Sequence, residues 1–282
     1  MNQQADSILI RSCQGRDEFE ACVQLQVETW GYDPADLVPN RSFMLSQKIG
    51  GQVIGAFDTS LAGTSGQGSA ASLVGYAYAI PGIKPESEGT ERRSYLHSHM
   101  LAVKPGYHNR GLGAKLKFFQ RDEALSRGIR RMEWTFDPLE IKNAFLNIHK
   151  LGAIIQRYYP DFYGVSSSRL QGGLPTDRLV AEWYLDSPRV TAIAEGLANA
   201  RYDVVERILV PASIYQWKAS ENDRDRALGV QLENRGRFQQ AFERGLAVAG
   251  FTRDADGNGI YELAPSSTVA KDIKSAPFSE AS

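Results

Sequence analysis

The sequence has little of what defines several large classes of protein. Only two cysteines, Cys13 and Cys22, occur in 282 residues; they are too few for a disulfide scaffold, and no histidine stands at metal-ligand spacing from them. No run of about 18 apolar residues is present, and the first residues lack the basic and apolar regions of a signal peptide. We therefore expect a cytoplasmic protein without a membrane segment, a metal site or a disulfide, and with both thiols buried.

An excess of charge of one sign is also missing. Lysine and arginine total 32, aspartate and glutamate total 33, and the formal net charge is −1. Nucleic acids and anionic membranes usually select strongly basic proteins, so we expect neither as a partner. The chain is long enough for about two domains of ordinary size, and its 42% content of hydrophobic residues is that of a folded globular protein.

The spacing of apolar residues predicts an α+β fold. Predicted helices, in which apolar residues recur at helical spacing, cover residues 17–30, 43–47, 110–127, 140–151 and 223–249. Predicted strands cover residues 7–11, 52–58, 72–80, 95–103, 131–136, 153–159, 180–185, 207–210 and 260–263. The Ser-rich end of the chain, residues 265–282, is predicted to be disordered.

The segment between the fourth strand and the next helix is the most informative. Pro105 ends the strand, and Gly111 and Gly113 open the helix. Glycines let a backbone approach a ligand closely, and the free N–H groups of a first helical turn attract phosphate; close packing alone is the alternative. The spacing fits neither a P-loop nor a dinucleotide-binding fingerprint. Four nearby cations either favour a phosphate-bearing ligand or form a solvated helix face: Lys104, Arg110, Lys115 and Lys117.

This segment resembles the fingerprint of the GNAT superfamily, the Gcn5-related N-acyltransferases that use acyl-coenzyme A. The family pattern is Leu-x-Val-x-Pro followed by Gln/Arg-x-x-Gly-x-Gly/Ala, and it is matched by Leu101, Val103, Pro105, Gly111, Gly113 and Ala114, with His108 in place of Gln or Arg. The chain looks most like the longer bacterial predicted acetyltransferases.

The resemblance implies a fold, a co-substrate and a set of binding residues. The fold is a mixed, strongly twisted sheet whose fourth and fifth strands splay apart around pantetheine, and the co-substrate is acetyl-CoA or another acyl-CoA. The residues implied for coenzyme binding are Leu101, Ala102, Val103, His108, Asn109, Arg110, Gly111, Leu112, Gly113 and Ala114.

A second family element, a helix that ends in Leu-Gly and carries Asn and Tyr, is matched less well. Its end is present at Leu151-Gly152, but Ile141 and Ile148 stand at the Asn and Tyr positions. Asn143 and Asn147 lie four residues apart, on one face of the predicted helix. They either supply the missing contact to the pantetheine amides or are solvated helix residues.

Two of the four histidines, His97 and His99, lie in the fourth predicted strand. With a period of two they share a face with Leu101 and Val103. An amine with a pKa near about 10 is protonated at neutral pH, so N-acyl transfer needs a base, and a histidine pair with a relaying water suits that task. The resemblance strengthens this assignment, because histone-acetylating members have a catalytic glutamate at the position of His97 and serotonin-acetylating members have His-x-His at both positions. The alternative is two strand residues held by hydrogen bonds in the core.

The thiolate that leaves coenzyme A needs a proton, and tyrosine is the usual donor in such enzymes. Tyr158, Tyr159 and Tyr163 follow the second element. We select Tyr159, with aromatic packing as its alternative role. A backbone N–H near Met100 or Leu101 is expected to hold the oxyanion.

The sequence thus predicts direct N-acylation, in the first instance N-acetylation, of a small-molecule amine by a monomer or homodimer. A GNAT domain is expected at residues 1–165 and an α+β extension of unknown role at 166–264. In one alternative the protein binds coenzyme A without turnover, because the Asn and Tyr of the second element are missing. In another it takes a dicarboxylic donor such as succinyl-CoA through Arg169 or Arg178.

Overall fold

The chain forms two compact units in the computed structural model, which describes residues 7–61, 66–85, 92–164, 166–197 and 200–273. The first unit runs to Ile129 and includes Ser167–Arg169, and the second contains the rest. Each unit has both strands and helices, so the predicted α+β class is confirmed. This division differs from the predicted domain boundary after residue 165, which stays a prediction.

Four antiparallel strands form the sheet of the first unit, in the order β1–β2–β3–β4. The strand predicted at residues 52–58 is confirmed to the residue, and α1 ends where Gly31 adopts the left-handed conformation that favours glycine. The elements are β1 (Ile8–Ser12), α1 (Gly15–Trp30), α2 (Asn40–Lys48), β2 (Gln52–Asp58), β3 (Leu73–Pro85), β4 (Arg92–Val103) and α3 (Leu112–Ser126).

Helices cover both faces of this sheet. On the α1/α2 face, Phe43 and Tyr78 pack in one apolar cluster with Met100 of β4. On the α3 face, Leu112 and Leu116 pack in a second cluster, against which Leu101 of β4 lies. Neighbouring residues of β4 therefore face opposite layers, as the pleat of a strand requires. The two predicted buried thiols are confirmed as free and buried residues of the first cluster.

Six strands form the sheet of the second unit, in the order β5–β7–β6–β9–β10–β8. Neighbouring strands in this order are antiparallel. Its strands are β5 (Arg131–Phe136), β6 (Ile154–Tyr159), β7 (Arg178–Tyr184), β8 (Glu206–Val210), β9 (Leu246–Arg253) and β10 (Gly259–Pro265). Its helices are α4 (Ile141–Ala144), which continues as a π-helix over Phe145–Lys150, α5 (Pro188–Ala194), α6 (Ile214–Ala219), α7 (Arg224–Glu243) and α8 (Ser266–Val269). The splay of the fourth and fifth strands stays a prediction.

The helix predicted over residues 223–249 is wrong at its end. Helix α7 stops at Glu243, Gly245 follows in the left-handed conformation, and Leu246–Arg253 forms β9. Periodicity alone does not separate a short apolar run in a strand from the last turns of a helix. Gly229 and Gly236 lie within the helix and do not interrupt it.

The tail predicted to be disordered begins with regular structure. Pro265 ends β10, and α8 follows it directly. Val269 of this helix is completely buried and packs in a cluster with Ile154 and Ala247, so burial of a valine holds this part of the tail in place. Residues 274–282 lie outside the described residues.

Within the described residues, no helix combines the length and the apolar composition that crossing a membrane requires.

Candidate functional site

The turn between β4 and α3 combines two residues in the left-handed region, Asn109 at φ 61° and Gly111 at φ 75°. Between them they redirect the chain into α3. The first hydrogen bond of the helix runs from the Lys115 N–H to the Gly111 carbonyl, at 3.1 Å. The N–H groups of Leu112, Gly113 and Ala114 therefore precede the intrahelical ladder, and together with the helix dipole they form an anion-binding end.

The space beside Gly111 is open. A Cβ atom built there meets no atom of the described chain within 4 Å. Glycine is therefore favoured at this position by its left-handed backbone conformation and not by a lack of space. Open space next to unpaired N–H groups is what a phosphate needs in order to approach a helix end. The turn thus has the open form of an anion-binding helix end.

Side-chain contacts brace this turn. His108 donates from Nε2 to the Val103 carbonyl at 2.7 Å, which ties the turn to the end of β4. The Tyr107 hydroxyl donates to Asp58 Oδ2 at 2.6 Å, and the Arg110 guanidinium lies over the Tyr107 ring. Hydrogen bonds from Ser60 and Tyr107 lower the pKa of Asp58 to about 2. The imidazole of His108 is thus engaged with the strand. The predicted contact of His108 with the coenzyme stays a prediction.

The histidine pair lies at a β-bulge that period-two alternation does not foresee. Tyr78 pairs with Met100 and the next residue of β3, Ala79, pairs with Ser98, which leaves His99 without a residue opposite it. The extra residue reverses the alternation of β4 on its N-terminal side. The prediction that His97 shares a face with Leu101 and Val103 is therefore wrong.

The two histidines nevertheless lie together. His97 is opposite Ile80, a residue of the α1/α2 face, and its ring centre is 6.4 Å from that of His99. His99 packs edge-on against Tyr78 of the same face, at 5.9 Å between ring centres. Loss of hydration lowers the pKa of His99, although the residue as a whole is exposed. A neutral imidazole beside a second one is a suitable acceptor for the proton of an amine.

Ser98 lies on the α3 face of β4, whereas regular period-two alternation would put it with Met100 on the α1/α2 face. The Lys117 ammonium donates to its hydroxyl oxygen at 2.8 Å. Lys117 is 2% exposed, which corrects its assignment to a basic or solvated helix face. Its place one residue after Leu116 and three before Gln120, both buried, is the signal that a helical projection of α3 offers.

The tyrosines considered as acids belong to the second unit and differ in their surroundings. Tyr159 is 36% exposed, and its ring stacks on Phe162. The Tyr158 hydroxyl donates to Asp177, and burial raises the pKa of Tyr158 far above its ordinary value, which makes it a poor acid. The Tyr163 hydroxyl bonds to Thr135. The assignment of Tyr159 stays a prediction.

The asparagine pair also belongs to the second unit, and its members do not share a face. Asn143 is exposed, whereas Asn147 is 5% exposed and lies in the π-helical segment. Wider turns with i→i+5 hydrogen bonds rotate the later residue away from the face that a regular α-helix gives it. Ile141 and Ile148, at the positions of the missing Asn and Tyr, are buried in the core.

Arg178, considered for a dicarboxylic donor, is held within the second unit. Its guanidinium donates to Gln171 Oε1 and to the Asp177 carbonyl. The side chain of Arg169 lies outside the described residues. A dicarboxylic donor stays a prediction.

No protein-family model and no curated protein sequence matches the chain. Among similar solved structures is NAA60 of Arabidopsis thaliana with acetyl-CoA, at 15% identity and a TM-score of 0.48, over 63% of this chain and 99% of that chain. Another is yncA of Salmonella typhimurium with acetyl-CoA, at 20% identity and a TM-score of 0.47, over 64% and 95%. A third, from Desulfovibrio desulfuricans, is described as an acetyltransferase of the GNAT family, at 14% identity and a TM-score of 0.44, over 63% and 99%. These likenesses concern the fold and assign no substrate to this chain.

Proposed function

We propose that the protein is an acyl-CoA-dependent N-acyltransferase of the GNAT type, which moves an acyl group, in the first instance acetyl, to the amine of a small molecule. One observation carries the proposal. Strand β4 holds the pair His97 and His99 and then ends in a left-handed turn that exposes the first N–H groups of α3. A base and an anion-binding end therefore belong to the same strand and turn.

The distance between these two features suits an extended ligand. A strand rises by about 3.3 Å per residue, so His99 and Val103 lie on the order of 13 Å apart along β4. A phosphopantetheine arm bridges such a distance when its pyrophosphate binds the N–H groups of Leu112, Gly113 and Ala114. The backbone of Leu101, Ala102 and Val103 would then pair with the pantetheine amides as a strand pairs with an added strand.

The histidine pair supplies the base in this proposal. His99, aided by His97 and a water, takes the proton from the amine, and the nitrogen then bonds to the acyl carbon as the bond from that carbon to sulfur breaks. A backbone N–H of Met100 or Leu101 holds the charge on the carbonyl oxygen, a contribution of about 3 kcal/mol for an oriented donor. The departing thiolate takes a proton, which we assign to Tyr159.

A second candidate is a protein that binds coenzyme A without turnover. Burial of Ile141 and Ile148 in the core favours it, because the family's Asn and Tyr have no polar substitute at those two positions. The engagement of the Tyr158 hydroxyl with Asp177 also removes one of three candidate acids.

One experiment separates the two candidates. Calorimetry measures binding of coenzyme A and acetyl-CoA, and a thiol reagent then measures release of coenzyme A with a panel of primary amines, corrected for hydrolysis without amine. Binding together with amine-dependent release is expected. Binding without release from any amine would favour the second candidate, and no binding of either nucleotide would refute both.

A further inference from the structure

A buried polar cluster joins α3 to β4 next to the histidine pair. Lys117 donates from Nζ to Ser98 Oγ at 2.8 Å, and the Ser98 hydroxyl donates to Gln120 Oε1 at 3.3 Å. The three residues are 2%, 6% and 0% exposed, respectively. Burial lowers the pKa of Lys117 well below its ordinary value. A lysine at this depth is unfavourable unless its head group has partners.

The position of Ser98 in the sheet links the polar cluster to the bulge. Ser98 directly precedes His99, the bulged residue. In a regular strand Ser98 would share a face with Met100, among the apolar side chains of the α1/α2 face, and His97 would turn to the α3 face. The bulge reverses both orientations, and it brings the Ser98 hydroxyl to Lys117 and Gln120.

The two registers therefore differ in where a hydroxyl finds partners. On the α1/α2 face, Ser98 would stand near Phe43 and Tyr78, in an apolar cluster. On the α3 face it has a donor and an acceptor, both buried. Because an unpaired buried hydroxyl is costly, these bonds favour the bulged register over the regular one.

We infer that Lys117 is a positioning residue, which through its bond to Ser98 holds the bulge at His99 and keeps His97 and His99 on the α1/α2 face of β4. The importance of that placement for catalysis rests on the proposed function. The effect of Lys117 on the bulge in β4 does not rest on the proposed function, and it is measured without any substrate.

The first test uses Lys117→Met, Ser98→Ala and the double variant, with Lys48→Met on the exposed side of α2 as the matched control. The chain has only four histidines, so their imidazole C–H resonances can be assigned by replacing one histidine at a time. We expect the resonances of His97 and His99 to move in both single variants, while those of His149 stay in place. The double variant should show no larger change than Ser98→Ala, because Ser98→Ala already removes both the bond from Lys117 and the bond to Gln120.

The second test separates positioning from stability. We expect kcat to fall by roughly tenfold to a hundredfold in Lys117→Met and Ser98→Ala, with the Kd for coenzyme A within about twofold of the wild type, because misplaced groups slow the reacting step more than binding. Ser98→Thr keeps the hydroxyl, so its histidine resonances and its kcat should match those of the wild type. If Lys117→Met does not fold, the comparison of Ser98→Ala with Ser98→Thr decides whether the bond at the Ser98 hydroxyl positions the histidines.

Two results would overturn the inference. In one, the resonances of His97 and His99 in the Ser98→Ala and Lys117→Met variants coincide with those of Lys48→Met. In the other, Ser98→Thr differs from the wild type as much as Ser98→Ala does. Resonances that move in a protein without acyl transfer would support the positioning role and refute the proposed function, so the two failures are distinguishable.

Discussion

The rings of His97 and His99 lie 6.4 Å apart, but the bulge at His99 gives them unequal surroundings. His97 stands opposite Ile80 in the ladder, whereas His99 has no residue opposite it and meets the edge of Tyr78. Loss of hydration lowers the pKa of His99. A lowered pKa favours the neutral imidazole of His99 at pH 7, which is the form that can accept a proton.

The pH dependence of the reaction follows from the lowered pKa of His99. A base must be unprotonated, so activity rises with pH through its pKa, and a lowered pKa moves that rise to lower pH. At saturating acyl-CoA, we expect kcat/KM for the amine to rise with a midpoint below about pH 6.5, the ordinary pKa of histidine. His99→Gln should lower kcat by about a hundredfold or more. A rise centred above pH 7, or an unchanged rate in His99→Gln, would contradict the assignment.

The conformation of Gly111 should be needed for coenzyme binding. At φ 75° a side chain strains the turn by about 1 to 2 kcal/mol, even though the space beside it is open. We expect Gly111→Ala to raise the Kd for coenzyme A by about tenfold in calorimetry. Gly106→Ala is the matched control, since this glycine has equally open space and no positive φ. Equal affinities of the two variants would speak against a role for this turn.

Much of the fold could be predicted from the sequence where the pattern had one interpretation. The strands at 52–58 and 131–136 are confirmed to the residue, because turn-forming residues bound each run. The strand β9 could not be separated from α7, because Leu246 to Phe251 is a nearly continuous apolar run that suits either element. Its pairing with β6 and β10, which decides the matter, comes from residues distant in sequence.

The site was predictable only in part, for a related reason. The turn at Gly111 follows from local sequence, since glycine is the residue that most readily adopts a left-handed conformation at the start of a helix. The bulge at His99 does not, because it depends on the partners that Ser98 finds on α3. The charge of Lys117 predicts a basic or solvated position, whereas its bond to Ser98 forms only once α3 packs on β4.

The bond from Tyr107 to Asp58 should make the turn sensitive to acid. The pKa of Asp58 is lowered to about 2, so its ionised form stabilises the folded state above its unfolded pKa, near about 4, and this contribution is lost as the pH falls towards 2. Tyr107→Phe removes one of the hydrogen bonds responsible. We expect the difference in melting temperature between wild type and Tyr107→Phe to be largest near pH 7 and to shrink below pH 4. A difference that does not change with pH would contradict this account.

Tyr158 and Tyr159 provide a matched pair for the general acid. Tyr159 is partly exposed, whereas the neighbouring Tyr158 has its hydroxyl engaged with Asp177. If Tyr159 protonates the leaving thiolate, Tyr159→Phe lowers kcat by about a hundredfold while KM for the acyl donor hardly changes. Tyr158→Phe should affect stability and leave kcat nearly unchanged. If Tyr158→Phe lowered kcat and Tyr159→Phe did not, the general acid would be Tyr158 and not Tyr159.

The stability of the second unit should depend on Arg235. Its guanidinium makes two hydrogen bonds to Asp177, at 2.9 and 2.8 Å, and that carboxylate is completely buried. Removing the cation leaves the buried Asp177 carboxylate without its counterion, so we expect Arg235→Met to lower the free energy of unfolding by about 2 to 4 kcal/mol in urea. Arg226→Met is the control, because Arg226 pairs with Asp223 at the surface and such pairs contribute about 0.5 kcal/mol. If both variants unfold at the same urea concentration as the wild type, the pair formed by Arg235 and Asp177 does not stabilise the fold.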